Sequence, residues 1–364
     1  MPREALGAVI VGTGFGVLTH LRAMQAAGID VLALVGRDAT KAHDRASRFG
    51  VPLGTDDLDA ALALADLDVV AVATPPHTHS AIVHAAVHAG KHVVCEKPFA
   101  RDRVEAVAML HAAEAAGVIH LLGTEFRFDA GQAQLARVVS SGAIGTPQFG
   151  QFELAQPTHA DPAAELPDWW QLAEEGGGWL GAYGSHVVDQ IRTTMGEPVA
   201  VSASLQRLAN RPAMTADDTY SVLMRLDNDA TVLMHSTCAS RGPFLVNTRV
   251  VGMAGTAWVD GPQVSVDTGR GVQLIPMPDD LPLVAPDPPP AELLHTAYDM
   301  WHSMGIDLAP YTRLYARLID LVAGNDVPDD PPAATFADGV AGQAVLDAIR
   351  ASSADGGAWT PVAT

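Results

Sequence analysis

The chain has 364 residues, enough for two domains, and an apolar share of 48% lets each bury a core. With 22 Lys+Arg against 42 Asp+Glu the formal charge is -20, so nucleic acid and anionic membrane surfaces, which it would repel, are poor partners. No run approaches the roughly 18–20 apolar residues needed to cross a bilayer, no leader pattern opens the chain, and two distant cysteines, Cys95 and Cys238, form neither a disulfide framework nor a metal cluster. The expectation is a cytoplasmic protein without metal.

Up to Leu122, short apolar runs alternate with helical patterns. Ala8–Val11, Val31–Val35, Val69–Thr74, Val93–Glu96 and Val118–Leu122 read as strands buried on both faces. Helix-period segments lie between and after them, at Leu18–Ala27, Thr40–Phe49, Leu58–Leu64, Ser80–Ala89 and Arg103–Ala116. Gly28, Gly50, Gly90 and Gly117 stand just past four of these helices, where a left-handed cap favours glycine. The alternation predicts a doubly wound parallel sheet, a Rossmann domain over residues 1–124.

Residues 125–364 read as a second, α/β domain. A helix over Gln132–Ser141 leads into strands with clear alternation: Gln148–Ala155, Val199–Leu208, Thr219–Leu226, Ala230–Cys238, Asn247–Val251 and Thr256–Val259. That pattern predicts a large, mostly antiparallel sheet with one face covered. Pro276–Pro290 reads as a surface loop, and helices return around Tyr311–Ala323 and Val340–Ser352. These last helices are candidates to pack back on the first domain.

The chemistry begins at Gly12-Thr13-Gly14-Phe15-Gly16-Val17, between the first strand and first helix. Gly12 permits a tight turn, Gly14 lets backbone approach a pyrophosphate, and the helix N-terminus supplies N–H groups and dipole. Val17 stands where the fingerprint has its third glycine. The second strand ends at Gly36-Arg37-Asp38; Arg37 suits the 2′-phosphate of NADP, so NADP is favoured over NAD, the other reading being a solvated Arg37 beside a helix-capping Asp38.

Two further segments stand out, Thr74-Pro75-Pro76-His77-Thr78-His79 and Ala89-Gly90-Lys91-His92-Val93-Val94-Cys95-Glu96-Lys97-Pro98. The chain has three lysines, Lys41, Lys91 and Lys97, against nineteen arginines. A lysine kept at the end of a buried strand in so arginine-biased a sequence points to amine chemistry, since lysine can shed its proton beside another positive charge and arginine cannot. A cis bond at Pro98 would aim that side chain sharply into a cleft. His77 and His79 are open between capping the following helix and touching a cofactor.

The GTGFG turn, the TPPHTH segment and especially AGKHVVCEKP resemble the glucose–fructose oxidoreductase/inositol dehydrogenase (Gfo/Idh/MocA) family. The likeness continues through Phe126-Arg127-Phe128, Ser141–Gly145, Gly176–Gly178, Gly184-Ser185-His186-Val187-Val188-Asp189, Pro310-Tyr311 and Thr335–Gly339, nearly the whole chain. It implies a Rossmann domain followed by an open-faced α/β domain whose sheet serves in homodimer or homotetramer contacts, and a sugar-like substrate held between the domains. It implies that Lys97 orients the substrate and takes part in catalysis, that His186 is the acid/base, and that Glu96, Thr74, Pro75 and His79 lie near the dinucleotide. A histidine suits that work because it titrates near neutral pH.

The chain departs from the family pattern at two positions. Many relatives place an aspartate four residues before this histidine; here it is Ala182, which can neither relay a proton nor orient an imidazole. Tyr183 and Asp189 are the candidates to compensate, and Arg127 and Trp170 are further candidate substrate contacts. Trp169-Trp170 reads equally as a stacking wall for a sugar ring and as core. Glu125 stands where many relatives carry asparagine. The expected activity is hydride transfer at a secondary alcohol or ketone of a sugar, cyclitol or related polyol. The alternatives are a redox-neutral sugar-modifying reaction with recycled cofactor, and a non-catalytic dinucleotide sensor.

Overall fold

Two sheets carry the fold in the computed structural model of the chain, which describes residues 5–282 and 307–363. They belong to two compact units, Met1–Glu125 with Val284–Val340 and Phe126–Leu283 with Ala341–Thr364. The first unit holds β1 (Gly7–Val11), β2 (Asp30–Val35), β3 (Leu53–Thr55), β4 (Val69–Val72), β5 (His92–Cys95) and β6 (His120–Leu122). Their order across the sheet is β3-β2-β1-β4-β5-β6, every pairing parallel. This is the doubly wound order, which reverses direction between β1 and β4, where such sheets bind ligands at their C-terminal edge.

Every residue of β1 and β4 is buried, because helices cover both faces and the strands must be apolar throughout. Val9, Val11, Val70, Val72, Val93 and Cys95 form one side of this core with Val83, Met109 and Phe99. The four glycines expected at helix ends do stand there with positive φ. Helix Leu308–Ala323 packs against the helical segment that follows β1, and Phe336 packs on Phe99 and His120.

The second unit holds β7 (Pro147–Ala155), β8 (Pro198–Gln206), β9 (Thr219–Leu226), β10 (Thr231–Thr237), β11 (Leu245–Gly252), β12 (Thr256–Asp260), β13 (Gln263–Asp267), β14 (Val272–Ile275) and β15 (Thr360–Pro361). They run β14-β13-β12-β11-β7-β10-β9-β8-β15. All neighbours are antiparallel except β7 and β10, which pair in parallel. Helices Ala130–Ser140 and Ser185–Thr194 pack on each other, and the former lies on β12 and β13. Burial alternates along β9 and β10, as a sheet with one covered face requires.

The sequence reading missed β3, β13, β14 and β15. It also started the helix after β4 too late: that helix opens at Pro76 rather than Ser80, because a proline at the first helical position costs no hydrogen bond. Pro276–Pro282 is irregular, and the rest of the proline-rich stretch, from 283, lies outside the described residues. Among the described residues no helix is long and apolar enough to cross a membrane, and no three His, Cys, Asp or Glu are grouped to hold a metal ion.

Candidate active site

At the end of β1 the chain turns sharply. Gly12 has φ +127°, and a Cβ there would overlap the Ala73 carbonyl oxygen, so only glycine fits. Its N–H donates to Val35 O at 2.8 Å, tying the ends of β1 and β2 together. A Cβ on Gly16 would meet Ile10 Cγ2 at 2.8 Å, and one on Gly36 would meet Thr13 Cγ2 at 2.7 Å. Gly14 differs: it is exposed, and a Cβ there would meet nothing within 4 Å. Gly14 thus leaves an open cradle at the start of a helical segment, a space any side chain would fill, and this fits a pyrophosphate. Phe15 and Val17 are buried, and Phe15 sets its ring edge-on to His20 and Tyr311, centroids 5.3 and 5.8 Å away.

Arg37 is exposed at the end of β2. Asp38 beside it accepts from Lys41 N at 3.0 Å and caps helix Ala39–Arg48. After β4, Thr78 Oγ1 donates to Thr74 Oγ1 at 2.7 Å, and Pro75 occupies the cap position of the next helix. The capping role considered for His77 and His79 is therefore corrected, because both lie inside the first turns of that helix. His79 is fully buried, with Nε2 2.7 Å from Thr74 O and Nδ1 3.1 Å from Phe99 O. Burial lowers its pKa against the pull of these two carbonyls.

Glu96 and the half-buried Lys97 follow β5 at the same edge of the sheet, and the Lys97–Pro98 bond is cis. Glu96 is buried and accepts from His20 Nε2 at 3.0 Å and from the Tyr311 hydroxyl. The same hydroxyl lies 3.1 Å from Gly123 O, and His20 Nδ1 bonds the Tyr315 hydroxyl. Burial alone would push the Glu96 carboxyl upward, but the His20 hydrogen bond, with His20, Lys97 and Tyr311 around it, holds it below its ordinary value. Glu125 is buried beyond the end of β6. Its desolvation, with Asp307 and Glu96 adding and Lys97 opposing, keeps its carboxyl well above the usual range.

In the second unit, His186 is buried in the first turn of helix Ser185–Thr194 and stacks on Phe126, ring centroids 4.1 Å apart. Arg127 grips Asp189 with two hydrogen bonds, Nε to Oδ2 at 2.7 Å and Nη2 to Oδ1 at 2.6 Å, both residues being buried. The pair thus clamps the turn Glu125–Phe128 to the helix that carries His186. Ala182 is buried just before that helix. Tyr183 stacks on Trp179 at 5.2 Å, and desolvation pushes its phenol up to about 12. Trp170 is buried and lies parallel to His159 at 5.5 Å.

The structure therefore gathers Gly12, Thr13, Gly14, Phe15, Glu96 and Lys97 at one edge of the first sheet, with Arg37, Thr74 and Pro75 on the strand ends beside them. It places Arg127, Asp189 and His186 together in the second unit, while Trp170 and Tyr183 join an aromatic cluster with Trp179. The sequence reading missed His20, Tyr315 and His159. His20 meets Tyr315 across 295 positions and Glu96 across 76, so no local spacing marks that network, and His159, stacked on Trp170, belongs to no motif.

Residues 6–124 match the family model described as "Oxidoreductase family, NAD-binding Rossmann fold" and residues 132–258 match the "GFO/IDH/MocA C-terminal domain". Levoglucosan dehydrogenase of Pseudarthrobacter phenanthrenivorans is 36% identical over 164 residues, 45% of this chain but less than half, 42%, of that relative. D-xylose 1-dehydrogenase (NADP(+)) 2 of Haloferax volcanii is 30% identical over 231 residues, 63% of this chain and 68% of that relative. A levoglucosan dehydrogenase solved with NADH and levoglucosan superposes with a TM-score of 0.82 at 25% identity, over 99% of this chain and 100% of its own. With its glycine turn, its EKP lysine and its second-domain histidine in a chain matched by a family model in each domain, this protein belongs to the Gfo/Idh/MocA family of oxidoreductases.

Proposed function

We propose that the chain is an NAD(P)-dependent dehydrogenase or reductase acting at a secondary alcohol or ketone carbon of a sugar, cyclitol or related polyol. The observation that carries this reading is Lys97 at the C-terminal end of β5, on the ligand-binding edge of a Rossmann sheet whose Gly12–Gly16 turn has an open cradle at Gly14. Relatives named for levoglucosan and D-xylose support a sugar substrate.

The backbone around Gly14 would hold the pyrophosphate, and Thr74 and Pro75 would line the same edge. Arg37 would pair with a 2′-phosphate; Asp38, which would accept a ribose hydroxyl in an NAD-selective site, is spent on its helix cap. NADP is therefore the preferred cofactor. When bound, the nicotinamide gives or takes the hydride. Lys97 holds and polarises the reacting oxygen, and His186 exchanges its proton. Phe126 and the Arg127–Asp189 clamp orient the imidazole in place of the aspartate that Ala182 lacks. The working form is a cytoplasmic homodimer or homotetramer.

Titration of stripped protein with NADP and NAD, followed by turnover on a sugar and polyol panel, tests this reading. Saturable binding with NADP tighter is expected, as is a loss of turnover of about a hundredfold or more in Lys97→Ala and in His186→Ala. Binding of neither dinucleotide would refute it. Ala182 favours one second reading, a transient oxidation that is reversed after elimination or cleavage. That reaction would form product without accumulating reduced cofactor, and stoichiometric NAD(P)H would exclude it.

A further inference from the structure

The triple glycine Gly176-Gly177-Gly178 has no part in the proposed hydride chemistry, yet its geometry is tightly constrained. A Cβ on Gly177 would overlap Trp169 O. Gly178 has φ +100°, and a Cβ there would overlap Asp217 Oδ1, so only glycine fits. The loop thus lays its backbone against the Asp217 carboxylate. Trp179 N then donates to Asp217 O at 2.8 Å, and Leu180 N donates to Asp217 Oδ2 at 2.8 Å. Asp217 stands between two anchors of its own: Ala216 N donates to Gln171 O at 3.0 Å, and Thr219, just beyond Asp218, opens β9.

From Leu180 the chain runs unbroken through a wide helical turn, Leu180–Gly184, into helix Ser185–Thr194, which carries His186. The first N–H groups of such a run have no partner inside it. Asp217 takes that of Leu180, and Gly178 O takes that of Ala182 at 2.9 Å. Leu180 is held at its other end too, because its carbonyl accepts from Ser185 N, the residue before His186. A short series of hydrogen bonds therefore leads from the edge of β9 to the turn that presents the imidazole.

The charge on this cap is costly. Asp217 is half-buried, and desolvation pushes its carboxyl up to about 6, with the Leu180 N–H and Arg350 opposing and Asp218 adding. Tyr220 on β9 and Cys238 after β10 face the same group, and burial holds both well above their ordinary values. Asparagine caps a helix about as well as aspartate and would carry no such cost. What the carboxylate adds is a stronger, charge-assisted bond at the positive end of the helical run. A costly charge kept where a neutral cap would serve is the mark of function set against stability.

We propose that Asp217 is a positioning residue for His186, its carboxylate fixing the start of the helical run on which the imidazole is carried. The proposal rests on the acid/base role of His186 proposed above. Asp217 touches no reacting atom, and its hydrogen bond goes to the Leu180 backbone, so it holds the run in place without relaying a proton as the aspartate missing at Ala182 would.

The test compares wild type, Asp217→Asn and Asp217→Ala as full chains at about pH 8, where the carboxyl is ionised. Turnover, dinucleotide affinity, melting temperature and amide hydrogen exchange of residues 180–186 are measured on each. In Asp217→Ala kcat is expected to fall about tenfold or more with dinucleotide affinity unchanged, and residues 180–186 to exchange faster. Asp217→Asn is expected to fall between the two in kcat and exchange, yet to melt no lower than wild type. Its melting temperature should gain on that of wild type as pH rises through about 6, because the raised pKa makes ionisation cost stability. If Asp217→Ala misfolds, Asp217→Asn alone decides. Wild-type kcat in the folded variants would overturn the proposal, and so would a loss of turnover in Asp217→Asn matched by a lower melting temperature, the sign of a cap that serves stability alone. A wild type without turnover on any substrate would sink the proposed function instead. Exchange would then decide whether Asp217 fixes the run, and unchanged exchange in both variants would refute it.

Discussion

His159 is 1% exposed in the second unit, flat against Trp170 and edge-on to Trp179. Burial lowers its pKa from 6.5 to about 4, with Arg211 adding and Asp218 opposing. A histidine whose folded pKa is depressed stabilises the fold fully above its unfolded value and loses that contribution as pH falls through the folded one. The loss from 6.5 down to 4 is about 3 kcal/mol at 1.36 kcal/mol per unit. Asp217 works the other way: burial raises its pKa to about 6, so its contribution is present at low pH and lost as pH rises through that value. His159→Phe keeps the stack and removes the titration. Urea unfolding followed by tryptophan fluorescence should show a wild-type stability that falls more steeply between pH 6.5 and 4 than that of the variant. Parallel slopes would mean that His159 is charged in the folded protein.

The clamp between Arg127 and Asp189 operates between elements, joining the turn Glu125–Phe128 to helix Ser185–Thr194. Removing one partner of a buried pair leaves an uncompensated charge and costs about 3–5 kcal/mol, whereas replacing both with apolar residues is often close to neutral. Asp189→Leu should therefore lower the melting temperature sharply, and Arg127→Met with Asp189→Leu should recover most of it. Circular dichroism melts of the three proteins decide the matter, and a double variant no better than the single would show that the loss comes from the missing clamp itself and not from a stranded charge. Both residues stand out in the sequence, but their union does not, since a contact across 62 positions leaves no periodic trace. By contrast, the strands of the first sheet are legible because burial on both faces demands unbroken apolar runs such as Val69-Val70-Ala71-Val72. β3 and β15 have three and two residues, too short to show a period. The parallel pairing of β7 with β10 was illegible for another reason, because alternation fixes a strand's faces and not its neighbours.

On the scale of the whole molecule, the glycine turn could be read because the backbone geometry at Gly12 admits few residue types. The Glu96 network could not, because His20, Tyr311 and Tyr315 meet it only once the helices are packed. The open face of the nine-stranded sheet carries the remaining consequence. Cross-strand pairing sets Leu223, Leu233, Gln151, Arg249, Trp258, Ser265 and Leu274 in one row. Leu223 and Leu274 are 38% and 56% exposed. Apolar side chains in a row on an uncovered sheet favour a second copy of the same face, while a formal charge of -20 per chain opposes it. The balance makes association depend on salt, which screens the repulsion over about 10 Å at 0.1 M and leaves apolar burial intact. Self-association of the kind proposed above is expected to tighten in sedimentation velocity as salt rises, and Leu223→Asp with Leu274→Asp is expected to shift the protein to a smaller species while dinucleotide binding persists. A wild type that sediments as a monomer at every salt concentration would remove this face from the assembly. An oligomer indifferent to the two substitutions would place its interface elsewhere.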